Sequence, residues 1–378
     1  MTENKERSKR YLYNAGFIAY FCIILALVFL RLVIYLAFQY LPQDSIVLEY
    51  LDKYVDYIFT FVAQILIMAL APILVIALLF KKGFKGTMDY LQVKKPKPYI
   101  YLAFAIGVCG YVINIIISVI SDTFFGFFGW QAGTGEIRAD YPVWLLLISI
   151  LFTAVLPGIC EEITHRGLVL KTMKEGGASD KKIILINGVF FGLFHMYLGQ
   201  TAFTMVMGCI MALLVIKSKS IIPAIFMHFI NNFISVMISF IYSNVNLTES
   251  AAIASGVIIL LLAPGAIAGF VLFILLFIKK ARKAGDCPPK KKKIPQPNMQ
   301  YGTNPFAPPP PVVHLSSQPQ HFAPPVQPLC QSANPDAFFQ TEPVTPGGFK
   351  PKARDNIFFW ATIILAGLIT FISFLTGI

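Results

Sequence analysis

Residues 151–167 read LFTAVLPGICEEITHRG, and the rest of the chain can be understood from this stretch. It begins as an apolar run typical of a membrane helix and then places Glu161, Glu162 and two basic residues within about two helical turns. Ionisable side chains inside a hydrocarbon layer are costly, so they usually face a protein interior or a wet cavity and mark a functional site. Such a cluster needs polar partners on other helices. Two later segments can supply them: FGLFH, which ends at His195, and HFINN, which begins at His228.

The composition indicates a membrane protein. The chain has 378 residues, of which 56% are hydrophobic and 13% are charged, whereas about a quarter of the residues of a soluble domain are charged. The net charge of +12 does not indicate nucleic-acid binding, because the basic residues cluster in loops between apolar runs, where the positive-inside rule puts them. No CxxC pair is present, so we expect neither a cysteine-built zinc site nor a disulfide framework.

The apolar runs predict an all-α, polytopic membrane protein with about nine transmembrane helices and a catalytic core in helices 4 to 7. Each run is near the roughly 20 residues that a helix needs to cross the hydrocarbon layer. The fifth and sixth runs are short, which indicates either misplaced boundaries or a half-membrane pair around Gly199. The predicted spans are 15–41, 58–80, 99–120, 143–173, 183–198, 202–216, 221–242, 252–278 and 357–378.

The charges of the loops predict how the chain is oriented. Basic residues precede the first span and follow the second, fourth, sixth and eighth, while the other loops hold mainly acidic and neutral residues. Nine spans with the N-terminus inside therefore satisfy the positive-inside rule at every loop. The short inner loops and the absence of a recognisable organelle signal favour a bacterial plasma membrane, with the N-terminus in the cytoplasm.

These patterns divide the chain into five parts. Residues 1–142 hold the first three helices, 143–243 the catalytic core, 244–279 the eighth helix and 356–378 the last helix. Residues 280–355 are basic and rich in proline, which predicts a disordered, cytoplasmic linker. We interpret the linker as a tether for the last helix, with a docking segment as the alternative. Its lysine run, Lys290–Lys293, suits anionic lipid of the inner leaflet.

Helix geometry pairs the charged residues of the opening stretch. Positions i and i+4 share a face, so Glu162 lies with Arg166 and Glu161 lies with His165. The first pair predicts an ion pair within the helix, which leaves Glu161 free to act as a base. Pro157, one turn earlier, can free a backbone carbonyl group toward a wet cavity.

The residue types of the three segments suit hydrolysis by water. A carboxylate and an imidazole that converge on one water can remove its proton, so that it attacks a carbonyl group. A second histidine and an amide on one face, as His228 and Asn232 are, can donate to an oxyanion. Cys160 is poorly placed as a nucleophile, because the neighbouring Glu161 disfavours its thiolate form.

The three motifs together resemble the signature of the CAAX protease and bacteriocin-processing family, whose bacterial members are often called the Abi family. They are EExxxR from Glu161 to Arg166, FxxxH ending at His195, and HxxxN from His228 to Asn232. Each motif is weak alone, but the ordered set on three predicted membrane helices is specific. The resemblance covers residues 143–243 and implies an intramembrane endopeptidase.

The resemblance also implies a role for each motif residue. Glu161 and His195 would activate the water, and His228 and Asn232 would hold the oxyanion. Glu162 and Arg166 would support them. His165 stands where the family commonly has an aromatic residue. We interpret it as filling that place, with tuning of Glu161 as the alternative.

The motifs leave the question of a metal open. His195, His228 and Glu161 could form a catalytic zinc site with one free position, as the older description of the family as metalloproteases implies. The resemblance also fits a metal-free glutamate mechanism. Asn232 is a poor zinc ligand and a good oxyanion donor, so we favour a site that requires no cofactor.

We therefore predict hydrolysis of a peptide bond near the inner face, in a substrate that is embedded in the membrane or carries a lipid. Prenylated CAAX proteins would fit a eukaryotic setting, and bacteriocin leaders or signalling peptides would fit a bacterial one. One alternative is a non-catalytic scaffold or peptide-immunity protein. Another is a proton-coupled carrier, since membrane carboxylates and histidines also form proton relays, although no internal repeat supports it.

Overall fold

A computed structural model of the chain describes residues 2–42, 44–130, 143–244, 249–286 and 350–376. All of them belong to one compact unit, made of residues 1–288 and 341–378. The linker predicted at 280–355 falls largely outside the described residues, and so does the lysine run Lys290–Lys293. The helices are α1 (Thr2–Tyr40), α2 (46–79), α3 (Phe84–Tyr90), α4 (Tyr101–Gly126), α5 (Val143–Glu175), α6 (Asp180–Phe194), α7 (Leu198–Ser218), α8 (Ile222–Asn244), α9 (Glu249–Lys283) and α10 (Ile357–Thr376).

The structure is that of an all-α integral membrane protein, as predicted. No strand occurs within the described ranges, and eight of the helices there are long and apolar enough to cross a membrane. The two that are not are α3 and α6. The predicted spans 1 to 4 and 6 to 9 each correspond to one of the eight long helices.

The fifth predicted span is not one of the eight long helices. It corresponds to α6, which has 15 residues and so rises about 22 Å, less than the roughly 30 Å of a hydrocarbon core. The sixth span is α7, a full-length helix of 21 residues. Helices α6 and α7 pack against each other as a hairpin. The start of α6 and the end of α7 therefore lie on the same side of the bundle, whatever depth α6 reaches. The predicted alternation of the loops therefore does not depend on the length of α6.

Helix α5 carries the opening stretch and departs from regular α-helix twice. Residues Ile150–Val155 and Ile163–Val169 are π-helical, and they flank the α-helical turns Leu156–Glu162. Pro157 has no backbone N–H, so it cannot donate to the carbonyl of Thr153 one turn earlier. That carbonyl accepts a hydrogen bond from the side chain of Asn232 on α8 instead, at 3.1 Å. The carbonyl group that Pro157 leaves without a partner, as predicted, thus links α5 to α8 through a hydrogen bond.

Small residues let the helices around α5 approach closely. A Cβ atom on Gly158 would lie 3.3 Å from the backbone of Phe229, so α5 and α8 touch almost backbone to backbone. A Cβ atom on Gly208 of α7 would lie 2.9 Å from the Cα atom of Gly188 on α6. Close packing of small residues is a usual way for membrane helices to associate. Polar groups of five helices, α1, α2, α6, α7 and α8, lie within hydrogen-bonding distance of α5.

The last helix, α10, is fastened to α1. Arg10 donates from Nε and Nη2 to the two carboxylate oxygens of Asp355, each at 3.0 Å. Tyr13 donates to Asn356 at 2.5 Å, and the rings of Phe17 and Phe359 meet edge to face at 5.4 Å. A bidentate guanidinium–carboxylate pair has a specific geometry, so α10 occupies a defined place in the bundle.

Candidate active site

The predicted ion pair between Glu162 and Arg166 is present and fully buried. Arg166 Nη1 donates to Glu162 Oε1 at 2.7 Å, and both side chains are 0% exposed. Arg166 also donates from Nη2 to the carbonyl oxygen of Gly208 at 3.0 Å, and its guanidinium lies over the ring of Phe191 at 4.6 Å. His228 Nδ1 donates to the same Glu162 oxygen at 3.1 Å. The ion pair of Glu162 and Arg166 therefore ties α5 to α6, α7 and α8.

Glu161 lies on the other side of the same histidine. Its Oε2 is 4.0 Å from His228 Nε2, which is beyond direct hydrogen-bonding distance. The residue is 5% exposed, and within the part of the chain that the structure describes its Oε2 has no hydrogen-bond partner. The other oxygen, Oε1, accepts a hydrogen bond from Gln64 Nε2 at 2.8 Å. One oxygen of the carboxylate is thus held, and the other is available as a base.

His195 ends α6 with one ring nitrogen already engaged. Its Nδ1 lies 2.8 Å from the carbonyl oxygen of Phe191. A carbonyl oxygen can only accept, so we assign the proton to Nδ1, which leaves Nε2 as the acceptor. The rings of Phe191 and Phe194 meet the imidazole edge-on at 5.1 and 5.7 Å. The ring is therefore held in one orientation, with Nε2 as its unprotonated nitrogen.

Asn232 is oriented by a chain of side-chain amides. Its Nδ2 donates to the carbonyl oxygen of Thr153 at 3.1 Å, and its Oδ1 accepts from Asn231 Nδ2 at 3.3 Å. Asn231 Oδ1 accepts in turn from Asn114 Nδ2 on α4 at 2.7 Å. The Thr153 carbonyl can only accept, so this order also assigns the oxygen and the nitrogen of each side-chain amide. Asn232 keeps a second N–H that can donate elsewhere.

His165 is buried away from the carboxylate of Glu161. Its Nδ1 donates to the backbone carbonyl of Glu161 at 2.9 Å, and Tyr20 donates to its Nε2 at 3.1 Å. The rings of Phe191 and Phe194 pack edge-on against it, at 5.1 and 5.0 Å. This residue packs as an aromatic side chain would. It touches the backbone of Glu161 and not its side chain.

Three of the four predicted catalytic residues line one cavity. The cavity has a volume of about 410 Å³, and its walls include His195, His228 and Asn232. Glu161 is the fourth, and its Oε2 lies next to the cavity-lining His228. The grouping differs in one respect from that implied by the motifs, since His228 lies near both glutamates, while Asn232 bonds to α5 and reaches α4 only through Asn231. The structure brings all four predicted residues into one region of the membrane interior.

Two polar residues of the site were missed from the sequence, Gln64 and Asn114. Both lie in the first three membrane helices, away from the motifs. Gln64 is the only amide in the apolar run 58–80, and this isolated polar residue is the signal that could have found it. Asn114 shares one face of α4 with Tyr111 and Ser118, at spacings of three and four residues. All three of those α4 residues line the cavity.

The side chains proposed as metal ligands are not grouped as a metal site. Among the described residues, no three His, Cys, Asp or Glu side chains are close enough together to hold a metal ion. The Nδ1 hydrogen bonds of His195 and His228 do not bear on this question, because a histidine that binds a metal through Nε2 usually makes the same kind of bond. On the grouping alone we assign no step of a reaction to a metal.

Comparison with known proteins agrees with this assembly. Residues 142–234 match the family model of the Rce1-like type II CAAX prenyl endopeptidases. No curated protein and no solved structure matched the chain. The matched segment contains the three motifs, and the match confirms the resemblance to the CAAX protease family drawn from the sequence. Members of that family are intramembrane proteases.

Proposed function

We propose that this protein is an intramembrane endopeptidase that hydrolyses a peptide bond in a membrane-associated protein or peptide. The observation that carries the proposal is the state of Glu161. One of its oxygens is held by Gln64 at 2.8 Å, and the other faces His228 Nε2 at 4.0 Å. A buried carboxylate with one free oxygen, beside a cavity lined by two histidines and an amide, suits the activation of water.

The proposed reaction begins with a water molecule between Glu161 Oε2 and His195 Nε2. Glu161 takes a proton from the water, and the water oxygen attacks the carbonyl carbon of the scissile bond. The resulting oxyanion accepts hydrogen bonds from the second N–H of Asn232 and from His228 Nε2. For this role His228 must carry a proton on both ring nitrogens, with its Nδ1–H on Glu162. Glu161 then passes the proton to the departing amine nitrogen as the C–N bond breaks.

The surrounding residues keep these groups in place. Arg166 neutralises Glu162, so that Glu162 can orient His228 without an uncompensated charge in the membrane interior.

We further propose that the substrate is held by the bilayer as well as by the cavity. Lys290–Lys293 would add affinity for anionic lipid, in a bacterial plasma membrane with the N-terminus and the linker in the cytoplasm.

Cleavage of a quenched-fluorescent peptide library by the purified, detergent-solubilised chain tests the proposal. We expect Glu161→Gln to reduce cleavage by about 10²- to 10⁴-fold, the usual contribution of a general base. Glu175→Gln is the matched control, because Glu175 is a partly exposed carboxylate on the same helix α5. Equal cleavage by wild type and Glu161→Gln would exclude the Glu161 mechanism. If no peptide cleavage depends on the presence of the protein, a non-catalytic scaffold is favoured.

A further inference from the structure

The cavity beside the candidate catalytic residues is closed at one end. Phe191, Met207, Met211 and His228 line that end, and their exposed fractions are 2%, 3%, 1% and 5%. These four residues are called the floor below. Aromatic and thioether side chains buried to this degree are packed against the rest of the bundle.

The other end of the cavity is open. Val119 lines it and is 59% exposed, and Thr153, Gln200 and Ser235 line it and are exposed as well. These four residues, called the mouth below, come from α4, α5, α7 and α8. They are the exposed part of the cavity lining, contributed by four different helices.

Two of the helices show which side of the protein the mouth faces. Gln200 lies in the first turn of α7, and Lys217 lies in the last turn of the same helix. Helix α4 begins shortly after Lys95 and Lys97, and Val119 lies in its second half. On both helices the mouth residue is in the half away from the lysines.

The other two helices agree. Thr153 lies in the first half of α5, whereas Lys171 and Lys174 lie in its last two turns. Helix α8 begins just after Lys219, and Ser235 lies in its second half. All four helices therefore place the mouth on the side of the bundle opposite to the lysine-bearing loops.

Part of the wall between floor and mouth is polar. Tyr111, Asn114 and Ser118 line it along one face of α4, and Asn231 faces them from α8, while Ile115 and Phe203 add apolar area. Polar side chains exposed to hydrocarbon without partners would be costly. The polar part of the wall can hydrogen-bond to water or to a peptide backbone.

We propose that the site takes its peptide from the side of the membrane opposite to the lysine-bearing loops. By the positive-inside rule this is the non-cytoplasmic side. The substrate class is then an exported peptide or an outward-facing segment of a membrane protein, and not a cytoplasmic lipidated tail. Cleavage near the inner face was predicted by counting residues along helices, which does not reveal where a cavity opens. The substrate class rests on the proposed function, whereas the direction of the opening does not.

Cysteine labelling in cells that express the full chain tests the direction. Cys287→Ser and Cys330→Ser remove the thiols of the polar linker, and the four that stay lie in membrane helices. Into this background we would introduce Gln200→Cys or Ser235→Cys at the mouth, and Lys95→Cys as the control in an exposed loop on the lysine-bearing side. A small, charged, membrane-impermeant thiol reagent is then applied to intact and to permeabilised cells.

We expect Gln200→Cys and Ser235→Cys to react in intact cells, and Lys95→Cys to react only after permeabilisation. Reaction of Lys95→Cys in intact cells, or of the mouth positions only after permeabilisation, would overturn the proposal. The two mouth positions lie on different helices, so the test survives if one variant fails to accumulate. Labelling needs no activity, and its outcome is therefore separate from that of the proposed protease function.

A second arm tests the substrate class with a peptide that the purified protein cleaves. The peptide is displayed on either side of the membrane by a single-pass anchor. Cleavage of the outward-facing form alone supports the proposal, and cleavage of the cytoplasmic form alone contradicts it. If no peptide is cleaved in detergent either, the proposed function fails while the labelling result stands.

Discussion

The amide of Gln64 donates to Oε1 of Glu161 at 2.8 Å, across the contact between α2 and α5. Gln64 is 8% exposed and lies outside residues 142–234, the segment that matches the family model. A neutral amide is a suitable partner for a base, because it fixes the carboxylate without cancelling its charge. The first three helices therefore contribute to the candidate site and do not merely surround it.

Replacement of Gln64 should slow catalysis without weakening substrate binding. We expect Gln64→Leu to lower kcat about 10- to 100-fold with little change in KM, since a hydrogen bond to a charged group contributes about 1.5–3 kcal/mol. Gln64→His, which can still donate, should recover part of the loss. The control is Gln39→Leu, an exposed amide on α1. A change in KM alone would indicate that Gln64 contacts substrate and does not position Glu161.

Loss of the amide of Asn232 should remove an oxyanion donor. We expect Asn232→Ala to lower kcat about 10²- to 10³-fold, the usual effect of one such donor. Asn114→Ala should act in the same direction but less, because it orients Asn232 only through Asn231. Steady-state kinetics on one peptide measures both. If Asn114→Ala were the more damaging of the two, the order of this chain of amides would be contradicted.

The buried pair of Glu162 and Arg166 should be more costly to break than to remove. Arg166→Met removes the guanidinium that pairs with Glu162 in the buried interior, which we expect to destabilise the protein by about 3–5 kcal/mol. The double variant Glu162→Gln, Arg166→Met should recover much of that loss, because the buried carboxylate charge is removed together with its partner. Thermal unfolding in detergent compares the three proteins. A double variant that is no more stable than Arg166→Met would show that the pair does not act as a unit.

Removal of divalent metal ions should leave the activity intact. Glu161, His195 and His228 are not grouped as metal ligands among the described residues, and the proposed water activation uses only Glu161 and His195. We expect the rate of peptide cleavage to be unchanged by a strong chelator. Loss of cleavage on chelation, with recovery on added zinc, would move the same three residues into a metal site.

The fastening of α10 to α1 should depend on Arg10 and Asp355. Asp355→Asn removes one charge of a pair in which Asp355 is 2% and Arg10 is 27% exposed. We expect the free energy of unfolding in detergent to fall by about 1 kcal/mol, as for a partly exposed pair with good geometry. Lys352→Ala, at a neighbouring exposed position, should change it little. An equal effect of both substitutions would show that the Arg10 contact is not what matters.

Much of the architecture could be read from local patterns along the chain. A run of apolar residues crosses a membrane largely because of its own transfer free energy, so the all-α class and eight long helices followed from hydropathy. The pair of Glu162 and Arg166 followed in the same way, because positions i and i+4 meet on any α-helix. The release of the Thr153 carbonyl by Pro157 is equally local, since it needs only the missing N–H of proline.

Contacts between helices were decided by the tertiary structure alone. Rotation and crossing of packed helices depend on side chains from both, and no single segment records them. That is why the sequence did not show that Gln64 holds Glu161, that His228 lies near both glutamates, or that Asn114 begins the chain of amides leading to Asn232. It is also why the direction in which the cavity opens could not be predicted. Residue spacing places a side chain on a helix, but the packing of the helices around it decides what it faces.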